Sequence, residues 1–224
     1  MSTEPTDVVI VEALRSPIGK RGGGLSTMHS ADLLAAVQRA AVDQSGIDAE
    51  AVGQVIGGCV RQVGQQAFNV ARTAWLTAGL PVGVAATTVD SQCGSSQQAT
   101  NLATGLVGSG VVDAAVAGGV EVMSRVPMGA SMGEGVGKAI PRSYFPQYEW
   151  TSQFEGAERI AEKWSISRDE TDALGLESQQ RAAQAWDEDR FGTQIVPIDA
   201  PDLGDDGKPT GTTHRVERDE GLRE

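Results

Sequence analysis

Residues 84–121 read VAATTVDSQCGSSQQATNLATGLVGSGVVDAAVAGGVE. The opening part, 84–89, is a short apolar and β-branched run, the pattern of a buried strand. From 94 to 108, Ala99, Leu102, Ala103, Leu106 and Val107 recur at helical spacing, so a helix with one apolar face is expected there. Gly108 and Gly110 stop it, and 111–117 reads as a second buried strand. Cys93 falls where the first strand turns into the helix. The unpaired N–H groups of a first helical turn and the helix dipole favour negative charge at such a point. A thiol held there is expected to lose its proton more readily, and Gly94, Ser95 and Ser96 leave room for a substrate. A nucleophile is one reading of Cys93. An inert core residue is the other, since free cysteine is among the most buried residue types.

Working outward toward the N-terminus, 7–14 contains the continuous apolar run VVIVEAL, expected to be a buried strand. Pro17, Gly19 and Gly22–Gly24 break the chain into a loop over 15–27. The triple glycine lacks the spacing and the lysine of a nucleotide loop. Ser30 is placed to cap a helix running to about Gln44, with Leu33, Leu34, Val37, Ala40 and Ala41 inside and Gly46 as its stop. A second apolar run covers 52–58. Cys59 follows it with no acid, base or metal ligand at a telling spacing, so a structural role is expected. Over 65–78 the pattern is helical, with Phe68, Ala71, Trp75 and Leu76 on one side. Arg61 and Arg72 are candidates to reach a substrate or a second subunit, weighed against plain solvated or interface positions. Gly118 and Gly119 let the backbone pass close to a neighbour. Glu121 beside them reads as a hydrogen-bonded anchor rather than a general base. Strands alternating with helices give an α/β fold with a mostly parallel sheet covered on both faces.

A chain of 224 residues can bury a sizeable core, as one large domain or one domain with an appendage. Its hydrophobic fraction is 40% but aromatics are only 4%, which suits tightly packed layers of Ala, Val and Gly. A net charge of −12 argues against nucleic acid or an anionic membrane surface as partner. A phosphate-bearing ligand stays open, because a helix N-terminus binds phosphate even in an acidic protein. The start, MSTEPTDVV, shows no basic-plus-apolar leader, and no apolar stretch has the length of a membrane span. Two cysteines make no disulfide framework, so a reducing cytoplasm is expected. Cys59, Cys93, His29 and His214 are not spaced for zinc, and no metal is expected.

After Arg125 the texture changes to Gly, Met, Ser and Pro. Gly133-x-Gly135-x-Gly137-Lys138 has the wrong spacing for a phosphate loop and is followed by Ala139. Met123, Met128 and Met132 read as core packing or as adaptable pocket surface. A helix is expected over 154–164. Ser167 to Glu170 is a capping box opening another helix to about Arg190. Residues 195–198 suggest a short edge strand. From 199 on, Asp and Gly dominate without a hydrophobic period, so 199–224 is expected to be a polar tail, loop or disordered.

VDSQCGSSQQA followed by AVAGGVEVMSRVPMG resembles the thiolases, which form or cleave 3-oxoacyl-CoA thioesters. The likeness extends to VEALRSPIGKRGGGLS, GGCVRQVGQQAFNVARTAWLTAGLP and AERIAEKWSISRDETDALGLESQQRAA. Several matched blocks in one order are far more specific than one motif. The resemblance implies that Cys93 carries the acyl group as a thioester and that no cofactor is tightly bound, with acyl-CoA and CoA as substrates. It also implies a homo-oligomer or a partner chain. By this likeness 1–124 is an N-terminal α/β domain, 125–198 a loop domain that helps hold CoA, and 199–224 the start of a link. The fold implied is one half of an αβαβα layered architecture. Asp90 stands where many relatives have asparagine, Ser96-Gln97 replaces a common Gly-Leu, and GGVEVMS departs from the frequent GGMESMS.

Thiolases also use a histidine in a Gly-His-Pro motif, a second cysteine in a Cys-x-Gly motif and an asparagine motif, and none occurs here. His29, just before a helix, reads as a surface or capping residue, and His214 lies in the polar tail. The expected function is therefore an acyl-CoA C-acyltransferase of lipid metabolism, incomplete as this chain. The alternative is an inactive half-thiolase serving as a binding or structural subunit.

Overall fold

In the computed structural model, residues 7–132, 135 and 137–223 are described. Three short strands, β1 (Gln54–Gly58), β2 (Ala85–Val89) and β3 (Ala115–Gly119), form a parallel sheet in the order β2-β1-β3. β1 pairs Val55 with Ala86 on one side and with Val116 on the other. The chain runs from β1 to β2 through α2 (Val70–Thr77) and from β2 to β3 through α3 (Ser95–Gly108). The second connection passes over β1, so the two helices cover opposite faces when both crossovers keep the usual hand. Side chains on β1 confirm this by alternating. Val55 packs with Ala71 and Trp75 of α2, whereas Ile56 packs with Ala99 and Ala103 of α3.

The α2 face is the thicker core. Trp75 is fully buried, and its indole N–H donates to the Pro81 carbonyl at 2.9 Å, so the ring's one polar group is satisfied. α1 (Ser30–Ser45) packs against α2 on this side, adding Leu33, Leu34 and Ala35. The helix expected over 65–78 starts only at Val70, because Phe68 and Asn69 both take positive φ. Asn69 then caps it, accepting from the Arg72 N–H. Phe68, expected on the packed side, is 96% exposed. His29 caps α1, its Nδ1 accepting from the Ala31 N–H at 3.2 Å, while Ser30 lies inside the helix.

Two further expectations fail. No strand forms over 7–14, and Val9, Ile10 and Val11 are exposed. A cavity of about 800 Å³ lies between this segment, α1, α3 and β3, so the run has no strand beside it to complete a ladder. Just after it, Arg15 makes an isolated bridge to Ile195. The composition of 199–224 was equally misleading. β4 (Ile198–Leu203) and β5 (Pro209–Val216) form an antiparallel hairpin. Ile198, Ala200 and Val216 are buried against Leu25 and Met28. Three apolar residues on one face sufficed, and the polar residues between them occupy the other.

Among the described residues, 7–131 together with 193–221 form one compact unit, and those of 132–192 with 222–223 form another. The second unit carries α4 (Gln153–Trp164) and α5 (Arg168–Asp187). Ser152 and Ser167 cap them, and Glu170 closes the expected capping box by accepting from the Ser167 N–H at 2.8 Å. Each cap is worth about 1 kcal/mol. Gly133, Glu134 and Val136 of the glycine-lysine segment lie outside the described residues.

Candidate active site

The three parallel strands end at the same edge of the sheet, and each leads to a residue of interest. Cys59 follows β1, Cys93 follows β2 after a turn, and Glu121 lies just past β3. Carboxyl ends of parallel strands, at the point where the strand order reverses, are where such folds bind ligands.

Cys93 is exposed. It rides on a turn that is tied from both sides. Gln92 before it takes φ of +50°, in the left-handed region that a non-glycine residue enters only when held. Asp90 Oδ1 accepts from the Gln92 N–H at 2.8 Å. The buried Ser95 hydroxyl accepts from the Ser91 N–H at 3.0 Å and donates to the Gln92 carbonyl at 2.5 Å. The N–H groups of Gly94 and Ser95 go to the carbonyls of Ser91 and Gln92. These two amides, of the N-cap and of the first helical residue, therefore close the turn.

Gly58 and Gly119 seat the start of α3. A Cβ on Gly58 would stand 2.5 Å from the Ser96 backbone nitrogen, and one on Gly119 would stand 2.5 Å from the Gly58 carbonyl oxygen. A side chain at Gly58 would push the helix start away from the sheet, and one at Gly119 would clash with the β1 backbone beside it. Of the two glycines expected to allow a close approach, Gly119 does so, whereas a Cβ on Gly118 would meet nothing within 4 Å.

Cys59 is a different environment, 1% exposed. Glu121 accepts from the N–H groups of Val60 at 2.9 Å and Arg61 at 3.3 Å, and from the Gln66 amide at 2.7 Å. It is the structural anchor that its position suggested. Cys59 is buried, as its expected structural role requires, and the Glu121 carboxylate, which no sequence spacing signals, lies 4.0 Å from its sulfur. Burial first, then the Glu121 charge, push the Cys59 thiol up to about 12. Cys59 thus keeps its proton and is no nucleophile. Gln66, which sequence reasoning missed, is fully buried and joins everything here. Its carbonyl accepts from Ser30 and the Val122 N–H, and its amide donates to Glu121 and the Arg61 carbonyl. No spacing around Gln66 signals this role.

The arginines are engaged locally. Arg72 donates to the carbonyls of Val82 and Val84, and Arg61 to Ser131 at 2.9 Å. His29 caps α1. His214 bonds Asp202 at 2.6 Å and the Gly24 carbonyl at 2.9 Å. Met123, Met128 and Met132 are exposed, so plain core packing does not describe them. Among the described residues no group of three or more His, Cys, Asp or Glu is placed to hold a metal ion.

Residues 8–224 match the thiolase N-terminal domain family. The chain belongs to the thiolase family. It is 42% identical over 202 residues to the steroid 3-ketoacyl-CoA thiolase FadA6 of Mycobacterium tuberculosis, covering 87% of this chain and 50% of that one. With the 3-ketoacyl-CoA thiolase of Bacillus subtilis it shares 34% over 220 residues, 97% of this chain and 56% of the other. The crystal structure of the Bacillus anthracis acetyl-CoA acetyltransferase superposes with a TM-score of 0.80 at 33% identity, over 96% of this chain and 55% of that one. The α/β fold read from the sequence is therefore the thiolase fold, and this thiolase chain spans about half the length of the relatives it matches. No helix among the described residues is long and apolar enough to cross a membrane.

Proposed function

We propose that this chain is the nucleophile-bearing part of an acyl-CoA C-acyltransferase, forming or cleaving 3-oxoacyl-CoA through an acyl thioester on Cys93. The sulfur of Cys93 attacks the thioester carbonyl of an acyl-CoA. A carbon–sulfur bond forms to Cys93, the bond to the CoA sulfur breaks, and the thiol proton ends on free CoA. In the condensing direction the deprotonated α-carbon of a second acyl-CoA attacks the acyl-Cys93, and the Cys93 thiolate leaves and is reprotonated. Both steps need a base and oxyanion donors. His29 and His214 are each tied to other partners, so the base is assigned to a C-terminal half, brought by the longer protein or by a partner chain. On this reading 1–124 is the catalytic α/β domain, 125–198 the loop domain, and 199–224 leads through the β4–β5 hairpin toward that half.

The observation that carries the reading is an exposed thiol on a turn held by Asp90 and Ser95, at the carboxyl edge of a parallel sheet, in a thiolase-family chain. The test is intact-mass and peptide mapping after incubation with acetyl-CoA and longer acyl-CoAs, with and without the C-terminal half of a relative. The expected result is an acyl adduct on Cys93 that Cys93→Ala abolishes. Adduct at Cys59, or none in the complemented mixture, overturns it. The engaged histidines favour a second reading, a binding or structural half-thiolase. Acyl-CoA binding with Cys93 never acylated would establish that one instead.

A further inference from the structure

His214, placed by its sequence in a polar tail, sits between two hydrogen-bond acceptors. Its Nδ1 is 2.6 Å from Asp202 Oδ1 on β4, and its Nε2 is 2.9 Å from the carbonyl oxygen of Gly24 in the glycine loop. A neutral imidazole carries one N–H and so satisfies one of these, whereas the imidazolium donates to both. Asp202 stays ionised, its carboxyl held below the usual range first by the Thr212 hydroxyl and then by His214. When the ring loses a proton, the carboxylate therefore keeps the Nδ1 hydrogen. The Nε2 lone pair is then left facing the lone pairs of the Gly24 oxygen.

We propose that His214 is a proton-operated latch, tying the β4–β5 hairpin to the glycine loop as an imidazolium and releasing Gly24 when it deprotonates. The charged groups that face the ring are Asp202 from β4 and Glu220 from the segment after β5, and from the loop the ring meets the Gly24 carbonyl. The same hydrogen bonds, to Asp202 first, raise the pKa of His214. The latch is thus closed below the ordinary imidazole range and opens as pH rises through the higher folded value. The remaining ties of this loop do not involve the imidazole. Asp219 pairs with Arg15 and accepts from the Ile18 N–H at 2.7 Å, and Glu220 accepts from the Gly24 N–H at 3.0 Å. Opening is therefore local, at the Gly24 carbonyl, next to the exposed Lys20 and Arg21.

The test follows the two histidine rings by nitrogen-detected NMR while trypsin cleavage after Lys20 and Arg21 is timed from about pH 6 to about pH 9. His214 is expected to be doubly protonated at the acid end and to become the Nδ1–H tautomer at the alkaline end. Cleavage in the native protein, divided by that in His214→Ala at the same pH, is expected to rise several-fold across the His214 midpoint and approach equality. Asp202→Asn keeps a ring to observe, and it is expected to lower the midpoint and shift the onset of cleavage by the same amount. A neutral Nε2–H ring at about pH 6, or a cleavage ratio that is flat across the midpoint, overturns the latch.

Discussion

Cys59 and Cys93 leave neighbouring strands of one parallel sheet at the same edge, and the sheet treats them in opposite ways. Cys59 comes directly off the central strand, into the core shared by α1, α2 and the hairpin, where Gln66 and Glu121 surround it. Cys93 comes off the edge strand one turn later, beneath the thinner face where only Ile56, Ala99 and Ala103 are buried together. Two cysteines at one sheet edge thus differ through the layers packed over them, Cys59 buried and Cys93 exposed.

The largest expected effect is kinetic. Iodoacetamide at neutral pH is expected to modify Cys93 at least about a thousand times faster than Cys59, because Cys59 reacts only through opening of the fold. Peptide mapping of a time course measures this, and comparable rates would erase the contrast. Next comes Glu121→Gln, which removes one carboxylate oxygen from the bonds to Val60, Arg61 and Gln66. A loss of about 1–3 kcal/mol in urea unfolding is expected. The Cys59 titration is expected to fall from about 12 yet remain above 9.0, since burial, the larger cause, persists.

A third outcome concerns pH. The folded Cys59 thiol titrates at about 12 against an ordinary 9.0, so the unfolded chain releases its proton first. The Cys59 contribution to stability is expected to be whole below pH 9 and to be lost between 9 and 12, so that urea midpoints decline less over that range in Cys59→Ala. Smaller still is Ser95→Ala. Losing the hydroxyl that joins Ser91 to Gln92 is expected to slow alkylation of Cys93 by roughly fivefold, for about 1 kcal/mol of turn stability, with Cys59 still protected. Gln92→Gly is the finest probe. It relieves the positive φ and is expected to raise stability by about 0.5–1 kcal/mol while loosening the turn, so that thermal midpoint and Cys93 reactivity move in opposite directions.

What the residues declared beforehand was local. The strand–Cys93–helix unit, the capping box at Ser167, the glycine stop after α1 and the anchoring role of Glu121 all follow from short-range patterns, and each forms as expected. The matched blocks fixed the family for the same reason, since order and spacing of motifs are written in the chain. Tertiary structure decided the rest. The run VVIVEAL states a preference for burial, but a strand also needs a neighbour to bond, and none stands beside 7–14 among the described residues. The tail at 199–224 looked too polar to fold, yet Ile198, Ala200 and Val216 found a surface on Leu25 and Met28. Gln66 and His214 carried no sequence signal because their partners lie tens to hundreds of residues away, at Glu121, Val122 and Gly24. Sequence alone determined the locally encoded elements and which sulfur leaves a strand for a helix. Only three-dimensional packing decided which sulfur meets solvent and which is locked as a thiol, because burial and charge at a thiol come from groups that other parts of the chain deliver.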